Sequence, residues 1–181
     1  MNVSLKDKAR SGILWTGFET LSIQGASFII GIILARLLNP SDYGLIGILT
    51  VFLAFANILS DSGLASALIQ NKHRSEVDYA TAFFFNLSLS ILLYLVLFFV
   101  APWLSIFFNA GELTSLTRIL GLGIIISSFT LIQETKLRIE MRFRYQAKVS
   151  ILASLMGGLL GISAAYLGFG VWALVIQNLG N

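Results

Sequence analysis

The sequence predicts an all-α fold, a polytopic helical membrane protein with five full transmembrane helices and the start of a sixth. Five apolar stretches fill almost all of the 181 residues. Each is about 17–27 residues long, the length that a helix needs to cross a hydrocarbon core of about 30 Å, whereas barrel strands take about 10 alternating residues. Charged residues make up only 12% of the chain, against roughly 25% in soluble domains. Because only helices and closed barrels satisfy their backbone groups in lipid, these stretches indicate membrane-crossing helices.

The predicted spans follow one another with short connections. They cover residues 12–38, 43–60, 79–103, 116–132 and 149–167, and an incomplete sixth runs from 171 to 181. The first ends at Asn39, because the residue before Pro40 avoids the helical region, and Asp42 can cap the second. Pro102 closes the third span. Since the sixth stops after about ten residues, where a span takes about 20, we expect a single truncated transmembrane domain, the N-terminal part of a longer transporter.

The distribution of basic residues predicts the orientation. The chain has 12 Lys and Arg residues, and if the spans alternate in direction, only Arg36 and Arg118 fall on one side while the other ten (12 minus 2) fall on the opposite side. Basic residues concentrate on the cytoplasmic side of membrane proteins. We therefore expect a cytoplasmic N-terminus, with outward connections near Asn109 and Gly168.

Several classes of site have no support in the sequence. The chain contains no cysteine and a single histidine, His73, so disulfides, thiolate metal sites and cysteine nucleophiles are excluded. No cluster of His, Asp and Glu has metal-ligand spacing, and no phosphate loop, nucleophile elbow or HExxH motif occurs. We expect no metal, no cofactor and no enzyme of a known motif class.

Polar residues inside the first span are candidates for a transport cavity. Glu19 lies about two turns inside the membrane, where a charged side chain costs about 2.5–3.5 kcal/mol. It either faces a wet protein interior or lies close enough to the cytoplasmic edge to reach water. Gln24 lies on another arc of the helix, together with Ser27, Gly31 and Ala35, whose small-residue spacing favours close helix packing.

The second, third and fourth spans add further candidates. Asn57 and Asp61 are four residues apart and share one helix face, the best candidate for a polar cavity wall, although Asp61 can equally cap a helix end. Asn86 in span three, and Arg118 and Glu134 at the two ends of span four, complete the set. Span five instead shows a close-packing face of small residues: Ser154, Gly157, Gly158 and Gly161.

The segment from 136 to 148 alternates basic and apolar residues. Its basic members are Lys136, Arg138, Arg142, Arg144 and Lys148. The ordinary interpretation is a cytoplasmic basic loop. The alternative is a segment at the membrane interface that attracts anionic lipid headgroups, at about 1 kcal/mol per basic residue. We expect no nucleic-acid partner, because the basic and aromatic residues directly adjoin membrane spans.

Three motifs carry a resemblance to a known family. They are ARLLNPSDYG at residues 35–44, DSGLASALIQ at 61–70 and QETKLRIEMRFRYQA at 133–147, after a short basic start. The chain resembles the N-terminal part of bacterial oligosaccharide-lipid flippases, which are the O-antigen, capsule and exopolysaccharide exporters of the multidrug/oligosaccharidyl-lipid/polysaccharide superfamily. The likeness covers most of the 181 residues, and its motifs mark architecture rather than substrate.

The resemblance implies a transporter with two six-helix lobes around a central cavity, of which this chain would hold most of the first. Such proteins lie in the bacterial inner membrane and move an undecaprenyl-pyrophosphate-linked oligosaccharide between leaflets by alternating access. The implied partners are that lipid-linked oligosaccharide and membrane lipids. Arg118 is the clear intramembrane basic candidate for the pyrophosphate, or else an interfacial anchor.

Two other functions stay open at this point. One is a drug or metabolite antiporter of the same superfamily, driven by a proton or sodium ion through Glu19 or Asp61. The other is a membrane protein, or a gene fragment, that transports nothing.

Overall fold

The computed structural model describes the backbone of residues 5–60, 63–70 and 75–180, and side chains from residue 14 onward except at 64 and 65. These residues form seven helices and no strand. In chain order the helices are α1 (Leu5–Leu37), α2 (Pro40–Ser60), α3 (Leu64–Gln70), α4 (Glu76–Phe107), α5 (Leu113–Ile139), α6 (Phe143–Tyr166) and α7 (Val171–Leu179).

Five of these helices are long and apolar enough to cross a membrane: α1 from residue 14 onward, α2, α4, α5 and α6. They coincide with the five apolar stretches, so the all-α membrane fold expected from the sequence is confirmed. The nine residues of α7 fall where the predicted sixth span begins. The seven residues of α3 were not predicted as a separate helix; they follow Gly63, whose φ of 74° separates them from α2.

The expected closure of the third span at Pro102 is wrong, because α4 continues through this residue to Phe107. A proline removes one backbone donor and leaves the carbonyl four residues earlier, at Phe98, without that helical bond. In an apolar environment a continued helix still pairs the remaining backbone groups. The chain turns away just after the helix, at Asn109, whose φ is 53°. The Ala110 N–H then bonds the Ser105 carbonyl at 3.0 Å.

The expected basic loop from 136 to 148 is largely helical. Lys136 and Arg138 lie in the last turn of α5, and Arg144 and Lys148 lie in the first turns of α6. Only residues 140–142 connect the two helices, and Met141 makes the reversal with a φ of 54°. The segment therefore forms two helix ends, because its apolar residues continue the spans on either side.

The chain divides into two compact units, and the first contains residues up to 39 together with those from 136. In it, α6 packs against both α1 and α7. The Arg144 guanidinium lies over the Trp15 ring, 5.3 Å from its centroid, and further along, Gly158 meets the side chain of Ile30. Residues near the start of α1 thus lie against residues near the start of α6, and later residues lie against later ones. The two helices are therefore parallel.

The predicted close-packing face of α6 is confirmed. A Cβ on Gly161 would lie 2.8 Å from Gln177 Cβ and 3.1 Å from the Ala173 carbonyl oxygen, and one on Gly157 would lie 2.9 Å from the Gly180 carbonyl carbon. These pairings make α6 and α7 antiparallel. Only glycine allows backbones to approach so closely.

The predicted close-packing arc of α1 is wrong at its glycines. A Cβ at Gly17 or Gly31 would meet nothing within 4 Å. The buried face of α1 instead carries Ile30 and Leu34, and Leu38 directly after the helix is buried as well. Both faces of α1 have helical spacing, and the larger apolar side chains are the ones that pack.

The second unit contains residues 40–135, and α4 lies at its centre. One buried cluster joins Ala56 of α2, Leu97 of α4 and Ile124 of α5. Another joins α3, α4 and α5 through Leu68, Ala82 and Ile132. The order of these contacts makes α4 antiparallel to both α2 and α5, as expected for successive membrane spans.

A capping box fixes the start of α4. The Ser75 N–H donates to Asp78 Oδ2 at 2.7 Å, and the Asp78 N–H donates to Ser75 Oγ at 3.3 Å. The two residues thus satisfy first-turn donors that no helical carbonyl can reach.

Candidate functional site

A polar cleft of about 340 Å³ lies within the second unit. Its lining comes from three helices: Asn57, Ile58 and Ser60 of α2, Asn86 of α4, and Ser127, Ser128 and Leu131 of α5. The described lining carries no charged side chain. A cleft whose described lining is polar and uncharged, among helices that are otherwise apolar, is the most distinctive site in the described part of the chain.

Asn86 anchors the cleft. Its side chain is only 2% exposed, and its Nδ2 donates to the Ser60 carbonyl oxygen at 2.9 Å. That carbonyl belongs to the last turn of α2, where carbonyl groups lack helical donors. Ser60 Oγ in turn lies 2.9 Å from Ser90 Oγ, one helical turn after Asn86 in α4. The end of α2 is thus tied to α4 by two buried hydrogen bonds.

The other side-chain atom of Asn86 is unsatisfied. Its Oδ1 is buried and has no hydrogen-bond partner among the described residues. Leaving a buried acceptor unpaired costs about 1–3 kcal/mol, and such an atom on the wall of a cleft is a place for a donor from a bound molecule.

The serines of α5 extend this acceptor character. Ser127 Oγ donates to the Ile124 carbonyl at 2.9 Å, and Ser128 Oγ donates to the Ile125 carbonyl at 2.7 Å. Each hydroxyl therefore donates its hydrogen to a carbonyl of its own helix, while its oxygen can still accept a hydrogen bond. The cleft consequently suits a neutral ligand rich in hydroxyl or N–H groups.

Among the described residues, only two of those predicted to line a transport cavity lie together in this cleft. Asn57 and Asn86 both line the cleft, whereas Asp61 lies outside the described residues. Glu134 is exposed on α5 and is not among the lining residues. Glu19, which is half-buried, and Gln24, which is exposed, lie on α1 in the first unit.

Arg118 occupies a separate position near the start of α5. Its guanidinium carbon lies 4.1 Å from the centroid of the Phe98 ring, a cation–π contact that stabilises a cation away from water. Its Nε is buried without a hydrogen-bond partner among the described residues. Ser128 follows ten residues later, about 15 Å along the helix, so Arg118 is not part of the cleft lining.

Sequence reasoning missed the role of Ser60. The residue lies three positions after Asn57 and so shares its helix face, a signal that was available. Its pairing with Ser90 was not readable, because it depends on the register between α2 and α4.

Among the described residues, no group of three or more His, Cys, Asp or Glu side chains could hold a metal ion. The basic residues of the 136–148 segment instead gather around the turn between α5 and α6. There, Arg142 Nε lies 2.8 Å from Glu140 Oε2.

Comparison with known proteins gives consistent matches. A protein-family model described as "Polysaccharide biosynthesis protein" matches residues 33–181. The succinoglycan biosynthesis transport protein ExoT of Rhizobium meliloti is 29% identical over 163 residues, which are 90% of this chain and 33% of ExoT. The teichuronic acid biosynthesis protein TuaB of Bacillus subtilis is 27% identical over 176 residues, 97% of this chain and 36% of TuaB.

The lipopolysaccharide biosynthesis protein WzxC of Escherichia coli is 29% identical over 124 residues, 68% of this chain and 25% of WzxC. The chain thus spans between a quarter and about a third of the length of these curated relatives. No solved structure gives a significant match.

Proposed function

This chain belongs to the polysaccharide biosynthesis protein family, and on that premise we propose that it acts in the export of polysaccharide precursors. The cargo is an oligosaccharide linked to undecaprenyl pyrophosphate, which is flipped across the bacterial cytoplasmic membrane by alternating access. The five membrane-crossing helices and relatives named for polysaccharide biosynthesis and transport support this proposal.

In this proposal the N-terminus is cytoplasmic. The basic residues at the start of α6 support this orientation, since they concentrate at one end of the first unit. The parallel packing of α1 and α6 agrees with it, because the first and fifth spans of an alternating chain run in the same direction.

We assign the cleft between α2, α4 and α5 to the saccharide part of the cargo. The observation that carries this assignment is the buried Asn86 Oδ1, which has no hydrogen-bond partner among the described residues, beside serine oxygens that can accept hydrogen bonds. Sugars present many hydroxyl donors and no charge in their simplest form, so they match a neutral, acceptor-rich wall. Because the described lining is uncharged, the proposal includes no coupling cation in this cleft.

The pyrophosphate requires a cation, and the described residues of the cleft lining supply none. Arg118 is the candidate on α5, since its guanidinium keeps a buried Nε without a hydrogen-bond partner among the described residues. The cleft and Arg118 would then contact different parts of one cargo molecule.

The test of the saccharide site is a pair of substitutions at the native gene locus. Asn86→Leu removes the buried acceptor, and Asn57→Leu removes an exposed amide of α2 that also lines the cleft and has no hydrogen bond among the described residues. Both variants should lower surface polysaccharide several-fold and raise the amount of lipid-linked oligosaccharide in the membrane. Ser88→Ala, on an exposed position of α4 outside this cleft, is the matched control and should leave both quantities unchanged.

Protein level in the membrane, measured by immunoblot, separates a transport defect from a folding defect. The Asn57→Leu variant is the decisive one, because the Asn57 side chain makes no hydrogen bond to another helix among the described residues. Wild-type surface polymer in both leucine variants, at wild-type protein level, would reject the saccharide site.

A further inference from the structure

A second cavity, of about 480 Å³, lies at the start of α6, in the first unit. Its lining residues are Arg142, Arg144, Tyr145 and Lys148. Three of the four are cations, and Arg144 and Lys148 are four residues apart on one helix face. Like charges at this spacing destabilise a helix by a few tenths of a kcal/mol, so helix stability does not explain the arrangement.

The positive charge of this cavity is only partly balanced. Arg142 pairs with Glu140, but both side chains are more than half exposed, at 67% and 51%, and exposed pairs contribute little. Among the described residues the structure gives no acidic partner to Arg144 or Lys148. The first turn of α6 also has no side-chain cap, so its free N–H groups add to the positive potential.

The aromatic residues beside the cavity indicate that it lies at the membrane interface, at the level of the lipid headgroups. The Trp15 ring lies against Arg144, 5.3 Å from the guanidinium carbon, and Tyr145 is 61% exposed. Trp and Tyr concentrate at the headgroup level of membrane proteins. Directly after Lys148 the exposed surface of α6 becomes apolar, with Val149 and Leu152. The cations therefore lie where lipid phosphates meet the start of the hydrocarbon layer.

We propose that this cavity binds the headgroup phosphate of an anionic phospholipid, with an acyl chain along the exposed apolar face of α6. Basic pockets beside transmembrane helices on the cytoplasmic side bind such headgroups. Arg144 and Lys148 contact the phosphate, Tyr145 donates its hydroxyl hydrogen, and Trp15 holds the Arg144 guanidinium in place. This proposal rests on the charge and depth of the cavity and is independent of the cargo assigned above.

Trp15 provides the probe. The chain has three tryptophans, and Trp103→Phe with Trp172→Phe leaves Trp15 alone. The full chain is reconstituted in phosphatidylcholine bilayers that contain a minor fraction of lipid brominated near the headgroup, either phosphatidylglycerol or phosphatidylcholine. Bromine quenches tryptophan fluorescence on contact, so brominated phosphatidylglycerol should quench Trp15 more strongly at equal mole fraction.

The expected size of the preference for phosphatidylglycerol follows from the number of basic residues in the cavity. A contribution of about 1 kcal/mol per basic residue corresponds to about fivefold in relative affinity. Lys148→Gln should therefore lower the preference for phosphatidylglycerol about fivefold, and Arg144→Gln with Lys148→Gln should abolish it. Arg36→Gln, an exposed cation in the last turn of α1, is the matched control and should leave the preference intact.

Three outcomes would overturn the proposal. They are equal quenching by the two brominated lipids, a preference that survives in the double variant, and a preference that millimolar inorganic phosphate abolishes. The last would show a site for free phosphate rather than for lipid. A protein that retains Trp172 alone, near the start of α7, should show no headgroup preference.

Discussion

Asn86 holds two helices together and offers an acceptor to the cleft with the same side chain. Its amide nitrogen donates to the Ser60 carbonyl in the last turn of α2, while its oxygen has no hydrogen-bond partner among the described residues. Neighbouring Ser90, fully buried, adds the second tie to Ser60. The geometry of the cleft therefore depends on two buried hydrogen bonds, one from the Asn86 side chain to the Ser60 carbonyl and one between the Ser60 and Ser90 hydroxyls.

We expect a measurable coupling between Ser60 and Ser90 in the free energy of unfolding. Hydrogen bonds between transmembrane helices average about 0.6 kcal/mol in double-mutant cycles. Ser60→Ala and Ser90→Ala, alone and together, should show a coupling of about this size when unfolding is followed in mixed detergent micelles.

The matched control for that cycle is Ser60→Ala with Ser127→Ala. The Ser127 hydroxyl donates to a carbonyl of its own helix, so this pair should show no coupling. If both cycles give the same coupling, the Ser60–Ser90 bond does not contribute to stability.

At the scale of helices, we expect Gly→Ala substitutions in α6 and in α1 to have opposite effects on the free energy of unfolding. Gly161→Ala places a Cβ 2.8 Å from Gln177 Cβ, closer than carbon atoms pack, so α6 and α7 must separate. We expect a loss of about 1–3 kcal/mol in the free energy of unfolding, as for other overpacked sites. Gly25→Ala, where a Cβ meets nothing within 4 Å, should cause no loss, since alanine is the better helix former.

Denaturation in mixed micelles, with helicity as the signal, measures both glycine variants. Equal stability of the Gly161→Ala and Gly25→Ala proteins would show that α6 and α7 are not in backbone contact.

The existence of the five long helices followed from the sequence, but the separate helix α3 and the helix ends did not. Continuous apolar length predicts a membrane helix, because lipid leaves the backbone few alternatives. The ends depend on local hydrogen bonds, such as the capping box at Ser75 and Asp78 and the left-handed turn at Asn109. The packing face of α1 was also not predictable, since two arcs had helical spacing and only the partner helix distinguishes them.

At the scale of the whole chain, alternating direction predicts that the two ends of α5 lie on opposite sides of the membrane. Its 27 residues rise about 40 Å, more than a hydrocarbon core of about 30 Å. The native sequence has no cysteine, so single cysteines report position directly. Gly111→Cys precedes α5, and Glu140→Cys follows it.

An impermeant thiol reagent added to intact cells should label the Gly111→Cys protein at once. It should label the Glu140→Cys protein only after the membrane is permeabilised. The reverse pattern would invert the orientation, and labelling of both would mean that α5 does not cross.

The residues of the candidate cleft were predictable from the sequence only where a polar side chain inside an apolar span was itself the signal. Asn57 and Asn86 were recognised because an amide inside an apolar span needs a partner. The charged candidates were chosen for the cost of burying them, yet Glu134 is exposed and Arg118 is stabilised by the Phe98 ring. The energetic cost of a charge shows that it must be compensated, but the sequence does not show whether a ligand or a neighbouring side chain does so.

The absence of charge among the described residues of the cleft wall has a consequence for the role of ionic strength. Mobile ions screen charge–charge attraction over about 8–10 Å at physiological salt concentrations, but they barely affect hydrogen bonds between neutral groups. Association of a neutral saccharide with Asn86 and the α5 serines should therefore persist at high salt, whereas retention of an anionic headgroup at Arg144 and Lys148 should weaken. A salt titration thus distinguishes the two sites in one preparation, without any substitution.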